Sequence, residues 1–211
     1  RLYAKSDRFY VKQYEEETNL RAYLLLDSSA SMNYRSSEDG LTKLEYSAYL
    51  AACLATIMCR QNDAVGLMTC NAATTVNLPP RQGANQLRAI LDHLEQTTAA
   101  GETNISRTLH DLAERVKRRA LIIVLSDLLD DPEAVTGALR HIRHRKHEII
   151  VFQVLDPSEI SFPFEQATCI TDMENRREVV SDPEAFQKAW IEGIRGLTGA
   201  IKRACRQARI D

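Results

Sequence analysis

Four short runs along the chain are apolar on every position or nearly so: residues 22–26, 64–70, 120–125 and 149–155. None shows the apolar–polar alternation of a strand with one wet face, so each reads as a strand covered on both sides. Between them lie segments with helical spacing of apolar residues. From residue 44 to 60 the spaced set is Tyr46, Tyr49, Leu50, Cys53, Leu54, Ile57 and Met58, with Ala48, Ala51, Ala52 and Ala55 keeping the helix slim. Residues 86–94 carry Leu87, Ile90, Leu91 and Leu94. The segment from Ile105 carries Leu109, Leu112, Ala113 and Val116, with Thr103 or Asn104 as cap. Asp131-Pro132-Glu133 and Asp182-Pro183-Glu184 are helix starts, with a capping carboxylate and Pro at the first helical position. The last helix bears Phe186, Trp190, Ile194, Leu197 and Ile201. Its Gly193, Gly196 and Gly199 predict either a close backbone approach or a break. Residues 73–77 predict a strand paired with 64–70 and stopped at Leu78-Pro79-Pro80. A small hairpin is predicted from 168–171 and 178–180 within a less regular stretch, 158–181.

Strands alternating with amphipathic helices predict an α/β fold: a Rossmann-like, mostly parallel central sheet with helices on both faces. In such sheets ligands gather beyond the carboxyl ends of the strands. Three of the four runs end there on carboxylates, the last at Asp156-Pro157; the first and third are the richest in oxygens. The first stops abruptly at Asp27-Ser28-Ser29-Ala30-Ser31, and the third at Ser126-Asp127. In D-x-S-x-S, alternate residues project to one side, so Asp27, Ser29 and Ser31 can aim oxygens at one point. An all-oxygen set suits Mg²⁺ or Mn²⁺ rather than zinc or copper. The plainer alternative is a Ser-rich turn in which Asp27 or Ser31 caps the next helix.

Composition narrows the partners. A net charge of −2, with 44% hydrophobic and 27% charged residues, is an ordinary globular balance without a global pull toward nucleic acid or membrane. The basic run 141–147 reads as a solvated helix end, and its histidines as unlikely to share a face. No segment has the length and apolarity of a bilayer span or a signal peptide. The five cysteines lack C-x-x-C spacing and read as reduced core thiols, Cys53 and Cys59 among them. Together these point to a cytoplasmic setting. Arg1 at the first position points to a chain cut from a longer one, with residues 1–20 as a lead-in segment and 21–211 as the domain.

Three separated pieces, Asp27-Ser28-Ser29-Ala30-Ser31-Met32, Gly101-Glu102-Thr103-Asn104 and Ile123-Val124-Leu125-Ser126-Asp127, together resemble the metal-ion-dependent adhesion site of von Willebrand factor type A domains. The segment 9–17, the start of strand two at Asp63-Ala64-Val65-Gly66, Pro79-Pro80 and Asp156-Pro157-Ser158-Glu159 resemble the bacterial domain of unknown function 58 family. The resemblance implies a divalent ion, Mg²⁺ or Mn²⁺, with Ser29, Ser31 and Thr103 as hydroxyl ligands and Asp27 and Asp127 holding it directly or through water. It also implies an open position for an Asp or Glu carboxylate of another protein. A MoxR-type AAA+ ATPase or its client is the implied partner, in assembly or maturation of other proteins. Type A domains usually carry Gly after the last Asp; Leu128 stands there and is expected to narrow the mouth of the site. The competing reading is a Mg²⁺-dependent hydrolase or phosphoryl-transfer enzyme. Against it, the chain has no D-x-D pair at the strand end, no G-x-x-x-x-G-K loop and no G-x-S-x-G elbow. A docking domain without catalysis is therefore expected.

Overall fold

A computed structural model describes residues 20–71, 75–102, 104–163, 169–171, 178–180 and 183–210. Residues 1–19 of the lead-in lie outside them, as does Thr103. In chain order the elements are β1 (Arg21–Asp27), α1 (Lys43–Arg60), β2 (Ala64–Cys70), β3 (Thr75–Arg81), α2 (Ala84–Gln96), α3 (Ile105–Arg115), β4 (Leu121–Ser126), α4 (Pro132–His144), β5 (Glu148–Gln153), the short α5 (Pro157–Ser161), β6 (Cys169–Thr171), β7 (Glu178–Val180) and α6 (Pro183–Ala208).

The main sheet has strand order β3-β2-β1-β4-β5, parallel except for β3; β6 and β7 pair separately and antiparallel. The order reverses between β1 and β4, and that is where a crevice opens at the strand ends. Strand β1 divides its side chains by the period of two: Ala22, Leu24 and Leu26 join the core under α1 and α2, while Leu25 joins the core under α3, α4 and α6. All four are fully buried, which is why the run needs no polar alternation.

Several sequence expectations change. The face of α1 is not the one its large residues suggest. Tyr46, Tyr49 and Ile57 are exposed, and Leu44, Ser47, Ala51, Ala55 and Met58 face the sheet. Alanines let the helix axis approach the strands closely, and the bulky residues then fall outward. Cys53 is likewise exposed and Cys59 half-buried rather than core. Strand β3 runs through Pro79-Pro80 instead of stopping there. It is an edge strand, where a missing N–H need not break a ladder. Its pairing shifts register beside Gly66, where an added Cβ would sit 2.7 Å from the Leu78 carbonyl oxygen. The stretch after β5 is not irregular from Ser158: Asp156 caps α5, in a reciprocal box with Glu159. Finally, α6 is continuous over 26 residues. Gly193 and Gly196 have open space where a Cβ would lie, so they mark neither a close contact nor a break.

Candidate functional site

The serine loop leaves β1 in the sheet's reversal crevice and is clamped from two sides. Ser28 donates its backbone N–H and its hydroxyl to the Cys70 carbonyl at the end of β2, each at 3.0 Å. Ala30 N–H donates to the Gly101 carbonyl (2.9 Å), and Ala100 N–H to the Ser28 carbonyl (3.0 Å). The ends of β1 and β2 and the Ala100–Gly101 loop are thus one hydrogen-bonded unit. A short 3₁₀ turn, Ala30–Asn33, follows and buries Met32.

The side chains converge in part. Ser29 Oγ and Ser31 Oγ lie 3.0 Å apart. Asp27 is 2% exposed, and both its carboxylate oxygens are taken: Oδ1 accepts the Ser29 N–H (3.0 Å) and Oδ2 the Ser126 hydroxyl (2.6 Å). Neither Asp27 nor Ser31 caps the next helix, which Thr42 caps; Asp27 instead braces its own turn. The Ser126 bond also ties β1 to β4. Burial, and then the charge of Asp127, push the Asp27 carboxyl above the ordinary carboxylate range. Two buried carboxylates this close create a negative site that a cation would relieve.

Asp127 is 2% exposed. Its Oδ1 accepts the Leu129 N–H at 3.2 Å. Its Oδ2 lies 2.8 Å from the Lys43 ammonium, which also reaches Glu159 Oε1 at 2.7 Å. Sequence reasoning missed Lys43, Glu159 and Ser126. Two signals were present. Thr42-x-x-Glu45 is a capping box that makes Lys43 the first residue of α1, where a cation opposes the helix dipole. Asp156-x-x-Glu159 is a second such box. A lysine at so unfavourable a place implies a carboxylate elsewhere. Burial alone would lower the ammonium's pKa, but the Asp127 and Glu159 charges outweigh it and hold the group above its ordinary value.

Leu128 takes a left-handed backbone conformation, φ 57°, which explains why glycine suits this position. Its side chain does not narrow the site mouth. It is fully buried, in one core cluster with Ile105, Leu109 and Val135. Burial, and then the Asp27 charge, push the Cys70 thiol up to about 12, so that sulfur is inert beside the site.

Among the described residues, no group of three His, Cys, Asp or Glu side chains is placed to hold a metal ion. That includes His141, His144 and His147; His147 turns inward, its Nδ1 accepting the Ala120 N–H. A metal here must rely on hydroxyls. The donor chemistry fits Mg²⁺ or Mn²⁺: two adjacent hydroxyls backed by two buried carboxylates, with Lys43 sharing Asp127. Thr103 contributes nothing to this test, lying outside the described residues.

The burial of Asp27 beside the Asp127 charge gives a pH prediction. In chelator, the native state keeps a proton on Asp27 at pH values where the unfolded chain has lost it. Stability therefore falls as pH rises from the ordinary carboxylate pKa through the raised one. Asp27→Asn should melt higher than wild type at pH 7 in chelator and flatten that part of the profile. A lower melting temperature would show that the carboxylate charge stabilises the apo loop.

The sequence profile of the family described as "Protein of unknown function DUF58" matches residues 1–192. An uncharacterized protein of Mycobacterium tuberculosis is 24% identical over 185 residues, covering 85% of this chain; the chain spans only 57% of that relative's length. Among solved structures, an aerotolerance-related membrane protein from Bacteroides fragilis has 17% identity and a TM-score of 0.56, covering 88% of this chain and 94% of that one. The conserved hypothetical protein BatB from Bacteroides thetaiotaomicron has 18% identity and a TM-score of 0.55, covering 90% and 98%. These likenesses concern the fold. Among the described residues, no helix is long and apolar enough to cross a membrane.

Proposed function

The chain belongs to the DUF58 family, and from that premise we propose that it is a docking domain whose hold on another protein depends on a divalent cation at the ends of β1 and β4. The observation that carries the reading is the pair of hydroxyls, Ser29 and Ser31, 3.0 Å apart above two buried carboxylates in the reversal crevice. Ser29 and Ser31, with Thr103 from the Gly101 loop, would ligate Mg²⁺ or Mn²⁺. Asp27 has both oxygens engaged, so it would act by orienting Ser29 and supplying charge through water. Asp127 would do the same from β4. A bound ion would supply one open, electrophilic position suited to an Asp or Glu carboxylate of a partner.

Holding rather than turnover is supported by the same bonds. A nucleophilic carboxylate must reach its substrate, and Asp27 and Asp127 are each only 2% exposed, with Asp27 held on both oxygens by hydrogen bonds inside the core. The partner proposed from the type A resemblance is a MoxR-type AAA+ ATPase, or a protein on which it acts. Both of those steps, and any role of the remainder of a longer chain, belong to the proposal.

The test is co-purification with a co-encoded AAA+ ATPase in Mg²⁺ or in chelator. Chelator and the double variant Ser29→Ala/Ser31→Ala should each reduce recovery about tenfold or more, and the two losses should not add, because both remove one linkage. Equal recovery with and without chelator would remove the metal from the mechanism.

A further inference from the structure

Lys43 is the residue of this site that the docking reading does not use. It stands at the first position of α1, where its charge opposes the helix dipole, yet its side chain is 3% exposed. Its enclosure is built. The ammonium lies 6.0 Å from the centre of the Tyr34 ring. The Tyr34 hydroxyl is hydrogen-bonded to Ser158 Oγ (2.8 Å), and Ser36 N–H donates to Asp156 Oδ2 (3.1 Å), so the strap after the serine loop is fastened to α5 over the lysine. Glu159 is fixed from behind: its Oε2 accepts the Asp156 N–H at 2.8 Å while Oε1 receives the ammonium.

We propose that Lys43 is the resident cation of the centre: its ammonium neutralises Asp127 in the metal-free protein, and a divalent ion binds only in competition with it. The divalent half of this statement rests on the docking reading above; the contacts of Lys43 do not. The physical basis is the charge count. Asp27, Asp127 and Glu159 are three buried carboxylates served by one ammonium, which leaves the cluster attractive to a further cation. The ammonium nevertheless occupies Asp127 Oδ2 while the Leu129 N–H holds Oδ1, so neither oxygen faces an arriving ion unshared. Its positive charge repels that ion through a water-poor region where screening is weak. Glu159, which touches Lys43 and is held by the α5 cap, is the carboxylate left to receive the ammonium when Asp127 turns to the metal. Lys43 thus sets metal affinity, and loading of the ion redistributes its ammonium between Asp127 and Glu159.

The experiment is calorimetric titration of Mn²⁺ into wild type, Lys43→Met, and Lys43→Met/Glu159→Gln, with Asp27→Ala added to each as a site control. The second variant removes the ammonium together with one counter-charge, so it stays folded if the single change does not. Lys43→Met should bind Mn²⁺ about tenfold more tightly than wild type or better, given the like charge removed; the double variant, its cluster charge equal to that of wild type, should gain less but still bind more tightly because Asp127 is freed, and Asp27→Ala should abolish both gains. The free hexaaquo Mn²⁺ resonance gives the same affinities independently. Equal affinity in wild type and both variants would overturn the competition and leave metal-dependent docking standing. Binding by the variants alone would support the competition and overturn docking through a metal in the unaltered chain. Binding by none would overturn both.

Discussion

Lys43→Met should destabilise the metal-free protein by roughly 3–5 kcal/mol, the usual consequence of removing one partner from a buried ion pair. For a chain of this length that is a fall of about 10 °C in melting temperature. The reason lies in what remains. Asp127 and Glu159, 2% and 9% exposed, would lose the ammonium that faces both at under 3 Å, and Asp27 would still stand behind Asp127. Neutralising Glu159 in the same background, Lys43→Met/Glu159→Gln, should recover much of the loss, because a buried ionic cluster replaced as a unit is often near neutral. The interaction energy from that cycle should therefore exceed 1 kcal/mol by a wide margin, about the level seen for residues in one network. Saturating Mn²⁺ should raise the melting temperature of Lys43→Met more than that of wild type, since a ligand stabilises in proportion to its affinity. A single variant that melts within a degree of wild type in chelator would mean the carboxylates are hydrated and the lysine is ornamental.

Leu128→Ala should cost about 2–5 kcal/mol, as for other fully buried leucines. Leu128→Gly should cost less, by about 1 kcal/mol, although it removes more of the side chain. The sign follows from φ 57°, a region that penalises any Cβ and admits glycine freely. Here the buried contact with Leu109 and Val135 outweighs the backbone preference, which is why a leucine is tolerated where type A domains usually carry glycine. Urea unfolding of the two variants measures the order directly. A glycine variant less stable than the alanine variant would show that the turn is unstrained and that φ plays no part in the choice of residue. Neither substitution should alter Mn²⁺ affinity about Asp27, since the side chain points into the core and away from the hydroxyls.

The strands and most helices were legible because each signal is local. Runs such as 120–125 must be covered on both faces whatever surrounds them, and Asp131-Pro132 starts a helix through its own cap, Asp131 accepting the Ala134 N–H at 2.8 Å. The alternation of these elements was enough for the parallel sheet, and the D-x-S-x-S turn and Ser126-Asp127 could be placed at strand ends from chain order alone. The inner face of α1 was less legible. Large apolar residues and alanines both repeat at helical spacing, and only the distance of the helix from the sheet selects the alanines. Pro79-Pro80 was misjudged because proline stops a central strand and is harmless at an edge, and edge position is a property of the whole sheet.

By itself, then, the sequence determined the α/β architecture, the carboxyl-end placement of Asp27, Ser29, Ser31 and Asp127, and the hard-oxygen character of the candidate centre. Tertiary structure alone decided which groups share that centre's charge. Lys43 and Glu159 are 116 residues apart, and Lys43 and Asp127 are separated by 84. Neither capping box announces where its spare charge points. Only when the sheet order brings the end of β4 beside the start of α1, and α5 folds against the Tyr34 strap, does a lysine unfavourable for its own helix become the counter-ion of a carboxylate at the site. Local propensity fixes elements because it depends on near neighbours in the chain; charge balance in a buried cluster depends on burial and proximity, which exist only after those elements have packed.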